Sequence, residues 1–194
     1  MTSPALDRIA LPLRTERLVV RASTAADADA VWRYRRLDEV NRWLTTAPVD
    51  AEAFRAHFAD PERLAITLLV ELPGAGVIGD IMLRVEDAWS QAEVRAPAAG
   101  VQAELGWAMD PAQQGQGYAT EAVRAVIAAC FTELGLRRVV AGCFAANEAS
   151  WRMMERLGMR REEHSLRTAL HRSGEWMDGM SYALLAEEWR SPRV

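Results

Sequence analysis

The 194-residue chain contains no lysine, so all 23 of its basic residues are arginine. A nucleotide-binding loop of the G-x-x-x-x-G-K-[ST] type needs a lysine on the phosphates, and this class is therefore excluded. The letters of the dinucleotide-binding pattern G-x-G-x-x-G occur once, at residues 74–79, but they fall in a turn between two predicted strands and do not open a helix as that motif requires. Any phosphate site in this chain must follow another pattern.

Cysteine is also scarce. Cys130 and Cys143 are too few for a disulfide framework, and no cluster of His, Cys, Asp or Glu has the spacing of metal ligands. Both cysteines fall in apolar segments. We therefore expect two buried thiols and no metal.

Long apolar runs are missing too. No run approaches the roughly 18 residues that a membrane span needs, and residues 1–8 lack the basic and apolar parts of a signal peptide. The net charge is −4, which argues against a general binder of nucleic acid or anionic membranes. We expect a single domain over residues 1–194 and a cytoplasmic location, with neither nucleic acid nor membrane as a partner.

The most informative stretch is residues 101–134, which reads as a strand, a glycine loop and a helix. Residues 101–109 are rich in apolar side chains, and Asp110-Pro111 ends the strand. Gly115 and Gly117 then turn the chain. From residue 118 onward apolar side chains recur at helical spacing until Gly135.

This arrangement is suited to binding a phosphate. The first turn of a helix has unpartnered N–H groups and partial positive charge, and glycines allow a phosphate to approach the backbone. Residues 115–120 therefore predict a phosphate or pyrophosphate site. The alternative is an ordinary strand-to-helix connection with turn glycines, and the spacing alone leaves both interpretations open.

The six residues 114–119, Q-G-Q-G-Y-A, resemble the Q/R-x-x-G-x-G/A signature of the GNAT acetyltransferase superfamily. Residues 104–107 and 119–122 are similar to the branch that contains the ribosomal-protein N-terminal alanine acetyltransferases. The resemblance implies an acetyl-CoA-dependent N-acetyltransferase in which this loop holds the pyrophosphate. The acetyl group would pass directly to a primary amine, without an acyl-cysteine intermediate.

The fold implied by the resemblance is α/β (α+β). Its mixed, mostly antiparallel central sheet has about seven strands, helices on both faces, and a splayed parallel strand pair at the centre. The patterns predict strands at residues 13–22, 64–72, 77–85, 101–109, 137–143, 164–171 and 177–184. They predict helices at residues 25–36, 50–58, 118–134 and 147–157, with a link at residues 86–100 and a tail at residues 187–190.

The resemblance also implies a cofactor site. The backbones of Trp107 and Met109 would bind the pantetheine arm, and the Met109 amide would polarise the thioester carbonyl. Asn147 would contact the pantetheine arm, although a plain helix cap is an open alternative. The expected cofactor-binding residues are Trp107, Met109, Gln114, Gly115, Gln116, Gly117, Tyr118, Ala119, Thr120 and Asn147.

Two catalytic residues are expected. Many members of the superfamily place a tyrosine where this chain has Met154, which cannot donate a proton to the leaving thiolate. Ser150 is then the nearest hydroxyl donor. Glu104 is the first candidate for the general base, against a structural or solvent-facing role. Glu121 matches an acidic residue of the branch but could equally interact with the helix dipole.

The acceptor is left open between a protein N-terminus and a small-molecule amine. The resemblance implies that the two predicted helices at residues 25–36 and 50–58 lie beside it, together with Trp32, Trp43 and Phe54. A non-catalytic acyl-CoA-binding module and an acyltransferase that uses another acyl-CoA, such as succinyl-CoA, are the alternative functions. A homodimer is possible by analogy with the family.

Overall fold

A computed structural model of the protein describes residues 5–190, without the side chain of Arg190. Residues 1–8, for which no signal peptide is expected, therefore lie partly outside the described residues. The strands are β1 (Leu13–Arg14), β2 (Val19–Ala22), β3 (Thr67–Leu72), β4 (Gly76–Glu86), β5 (Gln102–Met109), β6 (Arg138–Phe144), β7 (Arg160–Leu170) and β8 (Trp176–Leu185). The α-helices are α1 (Ala28–Arg35), α2 (Asp38–Asn41), α3 (Ala51–Phe58), α4 (Pro61–Leu64), α5 (Tyr118–Thr132), α6 (Glu148–Arg156) and α7 (Ala186–Arg190). Short 3-10 helices cover Ala5–Arg8, Ala25–Asp27, Ala92–Val94, Ala96–Ala98 and Pro111–Gln113.

The eight strands of the described chain form one sheet in the order β1-β2-β3-β4-β5-β6-β8-β7. The register is antiparallel for β1 with β2, β2 with β3, β3 with β4, β6 with β8 and β7 with β8. β5 and β6 are parallel, from Gln102 with Arg138 to Glu104 with Val140. The predicted mixed, mostly antiparallel sheet with one parallel pair is therefore confirmed, whereas the splay of that pair stays a prediction.

The chain divides into two compact units. The first contains the residues up to Leu83 together with Gly106–Ala129. The second contains Arg84–Leu105 and the residues from Cys130 onward. The single domain expected over residues 1–194 stays a prediction.

The first unit has an aromatic and aliphatic core. Val31 and Tyr34 of α1 and Phe54 and Phe58 of α3 are buried together against Leu69 of β3. The helical spacing of these side chains places them on one face of each helix, and their burial gives the helices most of their stability. Asp50 caps α3 as predicted, because its side chain accepts a hydrogen bond from the Ala53 N–H at 2.8 Å.

The predicted first strand, residues 13–22, is two strands in the structure, which is why the sheet has eight strands rather than about seven. The chain turns between them because the Thr15 N–H donates to Leu18 O and the Leu18 N–H donates to the Thr15 hydroxyl, both at 3.0 Å. Such a local side-chain hydrogen bond leaves no trace in apolar periodicity. The predicted tail at residues 187–190 is likewise helical, as α7.

Among residues 5–190, no helix is long and apolar enough to cross a membrane.

Candidate functional site

The glycine loop, residues 114–117, joins the end of β5 to the start of α5 in the first unit. Asp110 fixes its beginning, since its N–H donates to Ile78 O at 2.8 Å and its side chain accepts from the Ala112 N–H at 3.0 Å. Gly115 and Gly117 have φ angles of +77° and +82°, which residues with a side chain rarely adopt. The loop conformation therefore favours glycine at both positions.

The loop lies on the protein surface, and all four of its residues are exposed. α5 begins directly after it and runs for 15 residues. The N–H groups of the first turn of such a helix have no partner within the helix, and the helix dipole favours an anion beside them. The glycine loop and the first turn of α5 thus form a cradle into which an anionic group can enter from solvent.

Arg17, in the turn between β1 and β2, contacts the glycine loop. Its Nη1 donates to Gln116 O at 3.0 Å, and its guanidinium lies 4.6 Å from the centre of the Tyr118 ring. Its Nε donates to the Glu121 carboxylate at 2.7 Å. The Thr15 hydroxyl donates to the same carboxylate at 2.6 Å. Two residues of the β1–β2 turn therefore meet three residues that lie about a hundred positions later in the sequence, at the start of α5.

Glu121 is held in its ionised form. Its partial burial acts to raise its pKa, but hydrogen bonds from the Thr15 hydroxyl and from the backbone and side chain of Arg17 outweigh this and leave the pKa below its usual value. The side chain is 17% exposed, so water competes only weakly for these contacts. Glu121 is therefore engaged by two side chains in addition to any interaction with the helix dipole.

β4 approaches the end of β5 closely at Gly79. A Cβ atom built on Gly79 would lie 2.4 Å from Met109 Sδ and 2.7 Å from Ala108 O. The absence of a side chain at Gly79 thus allows Met109 to take its observed position. Met109 itself is buried, and Trp107 is half-buried.

A cavity of about 250 Å³ lies in the first unit, between α1, α3 and the segment that follows α2. Its apolar lining includes Val31, Phe54 and Phe58. His57 contributes an imidazole whose pKa is lowered, mainly by burial and further by the charge of Arg63. Such a mixture of apolar walls and a few polar groups is typical of small-ligand pockets.

A buried ion pair contributes to one side of this cavity. The Arg35 Nε donates to Asp80 at 2.9 Å, and the Tyr34 hydroxyl donates to the same carboxylate at 2.6 Å. Burial, followed by the charge of Asp80, raises the pKa of Tyr34 well above its usual value. Tyr34 therefore remains protonated and serves as a hydrogen-bond donor to Asp80.

The second unit contains three further residues expected at the site. Glu104 lies 3.1 Å from the guanidinium of Arg84, and its side chain is 38% exposed. Asn147 precedes α6, but its side chain makes no capping hydrogen bond. Ser150 is hydrogen-bonded to Cys143, an interaction that partly offsets the rise in the pKa of that thiol caused by burial. Met154 is fully buried.

The predicted site residues are divided between the two units. The first unit holds Trp107, Met109, Gln114, Gly115, Gln116, Gly117, Tyr118, Ala119 and Thr120. The second holds Glu104, Asn147 and Ser150. Sequence reasoning missed Thr15 and Arg17, whose only local signal is a polar turn between two apolar segments. It also missed the contact between Asp80 and Tyr34, which no local pattern reveals.

Comparison with known proteins gives a consistent result. The family model described as "Acetyltransferase (GNAT) domain" matches residues 17–160. An uncharacterized N-acetyltransferase of Bacillus subtilis, YnaD, is 41% identical over 86 residues, which are 44% of this chain and 50% of YnaD. The matched part of this chain therefore spans about half the length of that relative.

Solved structures match over a larger part of the chain. An acetyltransferase of the GNAT family from Bacillus anthracis has a TM-score of 0.77 and 30% identity, and the match covers 91% of this chain and 99% of that one. The ribosomal α-N-protein acetyltransferase RimL, in complex with coenzyme A, has a TM-score of 0.73 and 18% identity, with coverages of 90% and 97%. At 18% identity, the match to RimL shows a similar fold and nothing more.

Proposed function

Because the chain belongs to the GNAT family of acetyltransferases, we propose that it transfers an acetyl group directly from acetyl-CoA to a primary amine. The observation that carries this proposal is the glycine loop at the start of α5. Its two left-handed glycines and its exposed backbone fit the pyrophosphate of CoA, and the family model extends over it.

Each part of the site has a proposed role. The pyrophosphate binds to Gln114, Gly115, Gln116, Gly117, Tyr118, Ala119 and Thr120. The backbones of Trp107 and Met109 bind the pantetheine arm, and the Met109 N–H stabilises the negative charge that develops on the thioester oxygen. Asn147 contacts the same arm, and its lack of a capping hydrogen bond supports this role over that of a plain helix cap.

The reaction consists of nucleophilic attack and proton transfer. The amine nitrogen attacks the thioester carbon, a C–N bond forms, the C–S bond breaks, and CoA leaves as a thiolate. Glu104 takes the proton from the amine, directly or through water. Ser150 donates a hydrogen bond to the thiolate, for which its hydroxyl must turn away from Cys143, because a hydroxyl has a single proton to donate.

The amine acceptor is a protein N-terminus or a small molecule, and we assign its side chain to the cavity lined by Phe54 and Phe58. The apolar walls and the volume of about 250 Å³ support a small apolar group rather than a long cationic chain. Trp32 packs against Phe54, with ring centres 5.3 Å apart, and so supports this wall. A cytoplasmic location and a homodimer are further proposals that rest on family analogy.

Thermal unfolding with acetyl-CoA, CoA and succinyl-CoA tests the donor. A ligand that binds only the folded protein at about 100 times its Kd adds roughly 2.7 kcal/mol to the free energy of unfolding. Stabilisation by acetyl-CoA, followed by turnover in a panel of amines and N-terminal peptides, would support the proposal. No stabilisation by any CoA ester would contradict it.

One observation favours a second function. Met154 cannot donate a proton and is fully buried, so an acyl-CoA-binding module without catalysis remains the alternative. This alternative predicts stabilisation by acetyl-CoA without release of CoA in the presence of any amine. A preference for succinyl-CoA in the same experiments would instead change the assignment of the donor.

A further inference from the structure

Arg17, in the turn between β1 and β2, contacts the glycine loop and α5. It makes more hydrogen bonds there than a simple surface ion pair would. Arg17 reaches Glu121 with its backbone N–H at 2.9 Å, with Nε at 2.7 Å and with Nη2 at 2.6 Å. Its Nη1 donates to Gln116 O at 3.0 Å. A fork of this kind holds two acceptors in a fixed relation, which a lysine could not do.

The contact with Gln116 O has a consequence for the neighbouring N–H group. A trans peptide is planar, and its C=O and N–H point in opposite directions. Since Arg17 holds Gln116 O, it also sets the direction in which the N–H of Gly117 points. Gly117 has no side chain that could restrict its own conformation, so the restriction has to come from outside the loop.

The charge of Arg17 does not explain the arrangement. Glu121 neutralises the guanidinium at hydrogen-bond distance, and the side chain of Arg17 is 41% exposed to water. The net charge that the pair presents to an anion is therefore close to zero. Orientation of the loop backbone is the effect that remains.

We infer that Arg17 is a positioning residue for CoA, which holds the Gln116–Gly117 peptide in the orientation that binds the pyrophosphate. Glu121 serves as its anchor on α5, and Thr15 fixes the carboxylate of Glu121 through its hydroxyl. This inference rests on the proposed function, because it concerns the same glycine loop.

Calorimetric titration of acetyl-CoA into three variants tests the inference. Arg17→Met keeps the apolar stem but loses the fork, and Arg17→Lys keeps the charge but cannot hold both acceptors. Arg21→Met is the matched control, because Arg21 pairs with Asp27 at 2.7 Å and with Glu71 at 2.8 Å, outside the glycine loop but within the first unit.

Both Arg17 variants are expected to raise the Kd for acetyl-CoA about tenfold, whereas Arg21→Met leaves it within about twofold despite a similar loss of thermal stability. Where turnover is measured, the KM for acetyl-CoA rises with the same ratio and kcat changes little, because the interaction is made equally in the ground and transition states. A merely structural Arg17 would lower the melting temperature without this split.

Three outcomes would overturn the inference. If the Kd for acetyl-CoA is unchanged in Arg17→Met, Arg17 does not position the loop. If the Kd rises equally in Arg21→Met, the effect is general destabilisation of the first unit. If Arg17→Lys keeps the wild-type Kd, the positive charge alone explains the effect. Wild-type protein that binds no CoA ester contradicts the proposed function itself, and with it this inference.

Hydrogen exchange without ligand gives an independent measurement. The N–H groups of residues 115–117 should exchange faster in Arg17→Met than in Arg21→Met, and equal exchange in the two variants would contradict the inference. If Arg17→Met does not fold, Arg17→Lys serves in its place.

Discussion

Replacement of Gly117 by alanine tests whether the glycine loop binds the pyrophosphate as proposed, at a position whose backbone conformation favours glycine. Gly117 has a φ angle of +82°, and an alanine there incurs the cost of the left-handed conformation, about 1–2 kcal/mol. The added Cβ would lie 3.5 Å from Arg17 Nη2, which is an ordinary contact, so no clash adds to this cost. For a chain of this size the melting temperature should fall by roughly 2–8 °C.

The loss of ligand binding should add a second effect of similar size. A methyl group at residue 117 lies where the phosphate must approach the backbone. If the Kd for acetyl-CoA rises tenfold, the stabilisation at a ligand concentration of about 100 times the wild-type Kd falls from roughly 2.7 to about 1.4 kcal/mol. Thermal unfolding at one fixed concentration of acetyl-CoA measures both effects.

Gly74 supplies the matched control. It lies in the turn between β3 and β4 with a φ angle of +87°, and a Cβ built there meets nothing within 4 Å. Gly74→Ala should therefore lower the melting temperature by a similar amount and keep the full stabilisation by acetyl-CoA. If Gly117→Ala also keeps the full stabilisation, the reasoning that places the pyrophosphate in this loop is refuted.

Three further results are expected. Glu121→Gln should cost about 1–3 kcal/mol of unfolding free energy at pH 7. The pKa of Glu121 is lowered in the folded protein, so this cost should shrink as the pH falls below about 4 and the carboxylate becomes protonated. If denaturant titrations give the same cost across that pH range, the ion pair is contradicted. Tyr34→Phe should lower the free energy of unfolding by about 1–3 kcal/mol in the same titrations, because it removes a hydrogen-bond donor from buried Asp80. A change below about 0.5 kcal/mol would show that this hydrogen bond contributes little to stability. Burial raises the pKa of Cys130 to about 12 and raises that of Cys143 as well, but Cys130 is fully buried whereas Cys143 is only half-buried. Iodoacetamide at about pH 8 should therefore label Cys143 first in the folded protein, which mass spectrometry of the peptides would show.

The glycine loop could be predicted because its signals are local. Apolar alternation, two glycines and a helical period all fall within the 34 residues from Val101 to Leu134. Each of these signals reports the state of one short segment, and the structure has β5, the loop and α5 in that order. The parallel pairing of β5 and β6 followed from the helix between them.

The partners of the loop could not be predicted in the same way. Nothing near Glu121 in sequence indicates that its carboxylate binds Arg17, 104 residues away, since a single polar pair has no period. The same holds for Tyr34 and Asp80, which are 46 residues apart. The turn at Thr15 was missed for a related reason, because residues 15–17 are polar but include no glycine or proline to mark a turn, and a single hydroxyl hydrogen bond leaves no pattern in the sequence.

The contact between the β1–β2 turn and α5 also has a consequence for biosynthesis. Thr15 and Arg17 are made early, but their partner Glu121 follows 106 and 104 residues later. At a translation rate of about 5–20 residues per second, the turn waits roughly 5–20 s for the group that fixes it. The nascent chain therefore assembles this corner late, and the capacity to hold an anion at the glycine loop should arise only after translation has passed the first turn of α5.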